Sequence, residues 1–355
     1  MKKIYLFMFV CFLVFMMSGN VAVKAESTNS FTNLEGVTIL ESDLEILDLL
    51  GYSYDDIMHI NQEKIDNIRS INPSSNFYLE TYCKSIYEVC NEEINVSNIA
   101  ISKETFENEI AELLHKEEEH TVTRSVTNPS TYDDTEYKHI VFAGVYDSEF
   151  GALGKFTLRL SLEWRLNPKK RMTDVIGISN ADNVQITSEV INNKQHPNFD
   201  LIISYKEVEY SNYESISTQM KTFQYNGSNV KYYTDLDEGI SVFFDMPQSP
   251  SNAFEGDSDT DGNGYTRSNI KIVLETSYIP KNTGINATSF SGFYMHQTNS
   301  FSIDFDKMEL TLQLGAPYIT LNFSGLWNPK YDGSLGLTIY FEELYNDEDD
   351  NVGTC

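Results

Sequence analysis

Apolar and polar side chains alternate along much of the chain after residue 137. The clearest case is residues 156–166, where all six even-numbered positions are apolar and all five odd-numbered positions are polar. A period of two is typical of a β-strand with one face in the core and the other in water. The same alternation recurs in shorter segments at 199–205, 240–246, 270–274, 301–305, 308–314, 319–323 and 335–341.

Short polar turns separate these segments, as at Asn167-Pro168 and Asn226-Gly227. No helical period intervenes after residue 137, which argues against a sheet built from alternating strands and helices. Many short alternating strands joined by turns are typical of an antiparallel β-sandwich. The pattern therefore predicts a sandwich domain over residues 137–345.

Residues 26–120 show the pattern of a helical region. Ser42-Asp43-Leu44-Glu45 resembles a capping box at a helix start. In residues 103–119 apolar side chains recur three and four positions apart, as in an amphipathic helix. Residues 121–136 are predicted to be a linker and residues 346–355 an acidic tail. The expected class is α+β, predominantly β, with a helical N-terminal region followed by an antiparallel β-sandwich.

The first 25 residues have the features of a secretory signal peptide. Lys2 and Lys3 precede an apolar run from Ile4 to Met17, and Val23-Lys24-Ala25 fits the small-x-small cleavage rule. The run is shorter than the ~20 residues of a spanning helix. We therefore expect a secreted protein with no transmembrane anchor after cleavage.

The composition is strongly acidic. The formal charge is −28, and cleavage after residue 25 removes three lysines and no acid, which leaves −31. A surface this negative repels nucleic acid, because a protein that binds nucleic acid needs a basic patch to contact the phosphates. The expected partner is instead an extracellular protein or a glycan.

Three cysteines follow the leader: Cys83, Cys90 and Cys355. One disulfide is possible, with one thiol left over. If residues 76–91 formed a helix, Cys83 and Cys90 would lie about 10.5 Å apart along its axis, too far to bridge. We expect these two to be buried thiols.

The sharpest motif is an acidic loop, Asp257-Ser-Asp-Thr-Asp-Gly-Asn-Gly264. Calcium requires six to eight oxygen ligands, and carboxylates at alternate loop positions can converge on one ion. The loop resembles the DxDxDG sequence of EF-hands, dockerins and thrombospondin-type repeats, although Ser268 stands where a bidentate Glu is expected. The resemblance implies a weak calcium site that braces a strand connection. Its predicted ligands are Asp257, Asp259, Asp261 and Asn263.

No nucleophile, zinc-protease or phosphate-loop motif occurs in the chain. The absence favours a non-catalytic binding protein, although a carboxylate pair for glycan hydrolysis depends on the fold and is left open. An amphipathic hairpin at 307–324 could instead line a membrane pore, so a β-type pore-forming protein is the alternative.

Two short phrases carry a further resemblance. Residues 164–178, which begin Trp164-Arg-Leu-Asn-Pro168, and residues 50–57 are similar to phrases in uncharacterised secreted proteins of Gram-positive bacteria. This resemblance implies export and no particular activity.

Overall fold

A computed structural model describes most of the chain. The described residues are 30–90, 93–121, 135–164, 173–211, 214–226, 228–230, 232–235, 239–245, 264–282, 287–295 and 335–342. The predicted signal peptide, calcium loop, 307–324 hairpin and acidic tail lie outside them, as does most of the predicted linker.

The described residues contain four helices: α1 (Glu41–Leu49), α2 (Tyr54–Met58), α3 (Gln62–Arg69) and α4 (Lys103–Thr121). The strands are β1 (Ser30–Thr32), β2 (Thr38–Leu40), β3 (Ser75–Cys90), β4 (Glu93–Ile101), β5 (Thr135–Asp147), β6 (Lys155–Trp164), β7 (Thr173–Asn180), β8 (Val184–Ile186), β9 (Ser188–Ile191), β10 (Lys194–Pro197), β11 (Phe199–Ser211), β12 (Glu214–Asn226), β13 (Tyr232–Asp235), β14 (Gly239–Asp245), β15 (Gly264–Pro280), β16 (Ala287–Met295) and β17 (Leu335–Glu342).

Two antiparallel sheets form the body of the protein. The larger has the order β12-β11-β15-β6-β5-β3-β4, with β8 also paired to β15. The smaller has the order β13-β14-β7-β16-β17. Two further pairs, β1-β2 and β9-β10, are short hairpins. This confirms the expectation of a predominantly β fold with antiparallel sheets and a few helices.

The main core lies between the two sheets. Side chains of β6, such as Leu160, meet residues of the smaller sheet, such as Ile178 and Phe290, all of them buried. The even positions of β6 point into this core, as the alternation predicts. The pleat of a strand places alternate side chains on opposite faces. The two-residue alternation therefore identifies which side chains of each strand face the core.

The prediction that residues 26–120 are helical is wrong for residues 75–101. These residues form β3 and β4, and β3 pairs with β5 from Ser75 to Ile86. Phe77, Cys83 and Ser85 are buried at odd positions, which is the period of a strand. Aromatic and β-branched residues are frequent in β3 and favour a pleated surface. The sandwich therefore begins at β3, well before residue 137.

The helix expected at 103–119 is confirmed as α4. Cys83 is buried, as expected, although it lies in a strand rather than a helix. In the described part of the chain, no helix has both the length and the apolar character needed to cross a bilayer.

Residues 30–71 form a small helical unit with its own apolar core, which is built from the β1-β2 hairpin and helices α1 to α3. The unit lies on the outer face of the larger sheet, the face turned away from the main core. At Gly51 the backbone has a φ of +69°, and an added Cβ would lie 3.1 Å from Val141 Cγ1. A glycine therefore suits both the turn after α1 and the close approach of the unit to β5.

Candidate ligand-binding groove

The outer face of the larger sheet carries charged residues where the helical unit covers it. Arg159 on β6 lies directly opposite Glu275 on β15 in the strand register. The alternation of β6 predicts that Arg159 faces water, but only 3% of its surface is exposed. The helical unit excludes water from this part of the face, and this covering could not be read from β6 alone.

Arg159 joins the sheet to the helical unit through several contacts. Its Nε donates to Glu275 Oε1 at 3.1 Å, and its Nη2 donates to Asp56 Oδ2 at 2.8 Å. Its Nη1 donates to the Gly51 carbonyl at 2.7 Å. The guanidinium also stacks 4.2 Å from the centre of the Tyr52 ring. The planar fork of arginine allows one side chain to hold three partners at once.

Glu275 is the second centre of this network. The Tyr52 hydroxyl donates to Glu275 Oε1 at 2.6 Å, and Lys64 forms an ion pair with Glu275 Oε2. Lys64 also lies 3.4 Å from Asp200 Oδ2 on β11. Lys64 therefore spans the space between α3 and the sheet.

Asp56 is the third centre, and it has a local role as well. Its carboxylate accepts from the Ser53 N–H at 2.8 Å, while the Ser53 hydroxyl accepts from the Asp56 N–H, so the pair caps α2. The same carboxylate accepts from Lys271 Nζ at 2.7 Å. Lys271 also lies 3.4 Å from Glu163.

Buried Glu275 and half-buried Asp56 are both held in the ionised form. Burial alone would raise the pKa of Glu275, but Lys64 and Arg159 outweigh it and lower the pKa. Burial likewise opposes ionisation of Asp56, and Arg159 and Lys271 lower its pKa. The same contacts raise the pKa of Lys64, because Glu275 stabilises its charge. Neither carboxyl group can therefore supply a proton near neutral pH.

A groove of about 180 Å³ opens beside this network, between the helical unit and the sheet. The helical unit contributes one wall and strands β11 and β12 contribute the other. The polar and apolar side chains that line the groove outside the network include Asp55, His59, Glu63, Ile202, Ser204, Met220, Thr222 and Gln224. A second cavity of about 160 Å³ shares Lys64 with the first, so the Lys64 side chain lines both spaces.

The lining of the groove is acidic. Five carboxylates contribute to it against two cations, Lys64 and Arg159, which leaves a net charge of −3 with His59 neutral. A groove walled by protein on both sides strengthens the field of these charges. It therefore favours a positively charged group over an anion.

The predicted calcium ligands, Asp257, Asp259, Asp261 and Asn263, lie outside the described residues, in the segment between β14 and β15. In the part of the chain that the structure describes, no group of three or more His, Cys, Asp or Glu side chains is arranged to hold a metal.

The groove is not predicted by the sequence. Its residues come from four stretches that are far apart in the chain: 52–67, 159, 200–224 and 273–275. The one local signal is the Ser53–Asp56 capping pair, which marks a helix start and not a site. The charged residues at odd positions of β6 are a weaker signal, because nothing in β6 itself indicates that another part of the chain covers them.

No protein-family model matches the chain. No curated protein matches it either. Among solved structures, the chain is similar to Clostridium perfringens delta-toxin, with 12% identity and a TM-score of 0.23 over 62% of this chain and 96% of the toxin. It is also similar to a structure described as a pore forming protein, with 12% identity and a TM-score of 0.20 over 59% of this chain and 93% of that one. TM-scores this low establish neither a common fold nor a common activity.

Proposed function

We propose that the protein is a secreted, non-catalytic binding protein whose ligand occupies the groove between the helical unit and strands β11 and β12. The observation that carries the proposal is a cavity with polar walls from two separate parts of the fold. Concave sites between structural units, with a few placed polar groups and some apolar surface, are where proteins commonly bind small ligands. Secretion rests on the leader-like residues 1–25.

The size and charge of the groove define the class of ligand. A cavity of about 150 Å³ holds a benzene molecule, so a groove of about 180 Å³ suits one sugar ring or one amine-bearing side chain. The net charge of its lining favours a ligand that carries an amine. An aminosugar of a glycan and a lysine of an extracellular protein both supply this chemistry.

Two of the groove carboxylates, Asp56 and Glu275, do not fit the role of the acid in glycan hydrolysis. A glycosidase needs one carboxyl group that is protonated at working pH and can act as the acid. Asp56 and Glu275 have lowered pKa values because cations surround them. Their role is to join the helical unit to the sheet.

A calcium ion in the loop that contains Asp257, Asp259, Asp261 and Asn263 is part of the same proposal. The loop sequence supports this calcium site, and the role of the ion would be to brace the connection between β14 and β15.

The binding proposal is tested by filling the groove. Thr222 is an exposed residue of β12 in the groove wall, and Thr222→Trp should block the site without disturbing a core. Thr218→Trp is the matched control, since Thr218 lies on the same face of the same strand about 13 Å away and outside the groove lining.

Glucosamine and glucose are suitable probes, because they differ by one amine. In isothermal titration we expect the native protein and the control to bind glucosamine at least tenfold more tightly than glucose. The groove variant should lose this binding by at least tenfold. Equal binding by the two variants, or no binding of either sugar by the native protein, would overturn the proposal.

The alternation within residues 307–324 favours a second candidate, a β-type pore-forming protein. The hairpin lies outside the described residues. Dye release from liposomes separates the two candidates, since a binding protein leaves the vesicles intact.

A further inference from the structure

The helical unit and the sandwich have separate apolar cores. The core of the unit consists of Val37, Ile39, Leu47, Ile57, Ile60, Ile65 and Ile68. The sandwich core lies between the two sheets and shares no residue with it. Each part therefore buries its own apolar surface.

Charged and hydrogen-bonding groups form much of the junction between the two parts. The unit contributes Tyr52, Asp56 and Lys64, and the sheet contributes Arg159, Lys271, Glu275 and Asp200. Apolar contact is also present, where Gly51 approaches Val141. The buried ion pair at the centre of this junction, Arg159 with Glu275, is strongly destabilised when one partner loses its charge, because the other charge stays buried and uncompensated.

The sheet face beneath the unit is polar along β6, β11 and β12. On β6 it carries Thr157, Ser161 and Glu163, and on β11 and β12 it carries Ser204, Thr222 and Gln224. Antiparallel sheets commonly leave such a face in contact with solvent. β5 and β15 add buried apolar side chains to this face, among them Val141, Ala143 and Val273. Separation of the unit would therefore expose a mixed face, polar along β6, β11 and β12 and apolar at these positions.

The segment that connects the helical unit to the sandwich is short. The unit ends at Ile71 and β3 begins at Ser75, with Pro73 between them. Asn72 and Ser74 bind Asp147 and the Tyr146 carbonyl, which holds this joint against β5. The joint is thus attached to the sandwich, and the unit would have to pivot there to leave the sheet.

We propose that the helical unit docks reversibly on the sandwich, and that protonation of Glu275 and Asp56 releases it while the sandwich stays folded. The inference concerns the docking itself and does not depend on what the groove binds. Since the unit forms one wall of the groove, release also opens that site.

The direction of the pH effect follows from the groups that surround the two carboxylates. Glu275 faces Lys64, Arg159 and Tyr52, with Asp200 beyond Lys64. Asp56 faces Arg159, Lys271 and Ser53. Glu163 next to Lys271 and the groove acids Asp55 and Glu63 complete the charged surroundings.

More cations than acids contact each carboxylate directly, and the pKa values of Glu275 and Asp56 are lowered because of these contacts. The docking energy is therefore fully present above the ordinary carboxyl pKa of about 4. It is lost progressively as the pH falls from that value through the lowered pKa values of the docked carboxyl groups.

Hydrogen exchange of the full chain, followed by mass spectrometry without added ligand, tests the proposal. Glu275→Gln removes at neutral pH the charge that acid would neutralise. Glu207→Gln is the matched control, because Glu207 pairs with Arg267 on the same sheet away from the unit.

We expect Glu275→Gln to speed exchange at residues 41–69 at least tenfold and to leave residues 156–162 unchanged. The control should change neither. As the pH of the native protein is lowered from 7 towards 2, exchange at residues 41–69, corrected for intrinsic rates, should rise before exchange at residues 156–162 does. No change in the helical unit, or equal loss of protection in both parts, would overturn the proposal. A failure of the sugar-binding test would not bear on this result.

Discussion

At the scale of single residues, Arg159 decides how the helical unit meets the sheet. It is buried, and it binds Glu275, Asp56 and the Gly51 carbonyl. A buried pair of this kind adds little to stability compared with well-packed apolar residues. Removal of one member is nevertheless costly, because the remaining charges cannot reach water.

Arg159→Met should therefore lower the free energy of unfolding by about 3–5 kcal/mol. Arg267→Met is the matched control: Arg267 pairs with Glu207 and stacks 4.8 Å from the centre of the Tyr205 ring, with about a fifth of its side chain exposed. That pair is worth only about 1 kcal/mol. Urea unfolding of both variants measures the difference, and equal losses would show that burial of Arg159 is unimportant.

At the scale of elements, the pairing of β14 with β7 requires a glycine at the start of β14. Gly239 has a φ of +114°, and an added Cβ would lie 2.2 Å from the Ile178 carbonyl oxygen. Both the backbone angle and the lack of space exclude a side chain there.

Gly239→Ala should consequently destabilise the protein much more than Gly36→Ala. Gly36 also has a positive φ, of +76°, but no atom lies within 4 Å of its added Cβ. The Gly36 variant pays only the backbone strain of about 1–2 kcal/mol, and the Gly239 variant adds a clash with the neighbouring strand. Thermal melts of the two variants check this, and similar melting temperatures would contradict it.

The segment between β14 and β15 joins a strand of the smaller sheet to a strand of the larger one. A calcium ion held there would brace the two sheets. We expect the melting temperature to be higher in millimolar calcium than in chelator, since a ligand that binds only the folded state stabilises it. Asp259→Ala should abolish the shift. The calcium site is rejected if the native protein shows no shift.

At the scale of the whole molecule, the sequence predicted what local periods can reveal. The alternation in β6 identified its inner face, and the helical spacing identified α4. The helical prediction was wrong at β3 because its pairing with β5 joins residues about 60 positions apart. The groove was missed for a related reason: the register of β6 with β15 brings Arg159 to Glu275 across 116 positions.

The position of β15 in the middle of the larger sheet also has a consequence for how the chain folds. β15 separates β11 from β6, so the sheet cannot be completed until residues 264–280 have been made. Pairings between residues so far apart form slowly, because a long loop must close first. A nascent chain that ends before β15 leaves β6 with an open edge, which invites pairing with other chains. If the chain is exported unfolded, as the proposed secretion implies, the larger sheet is completed only after residues 264–280 have also left the cell.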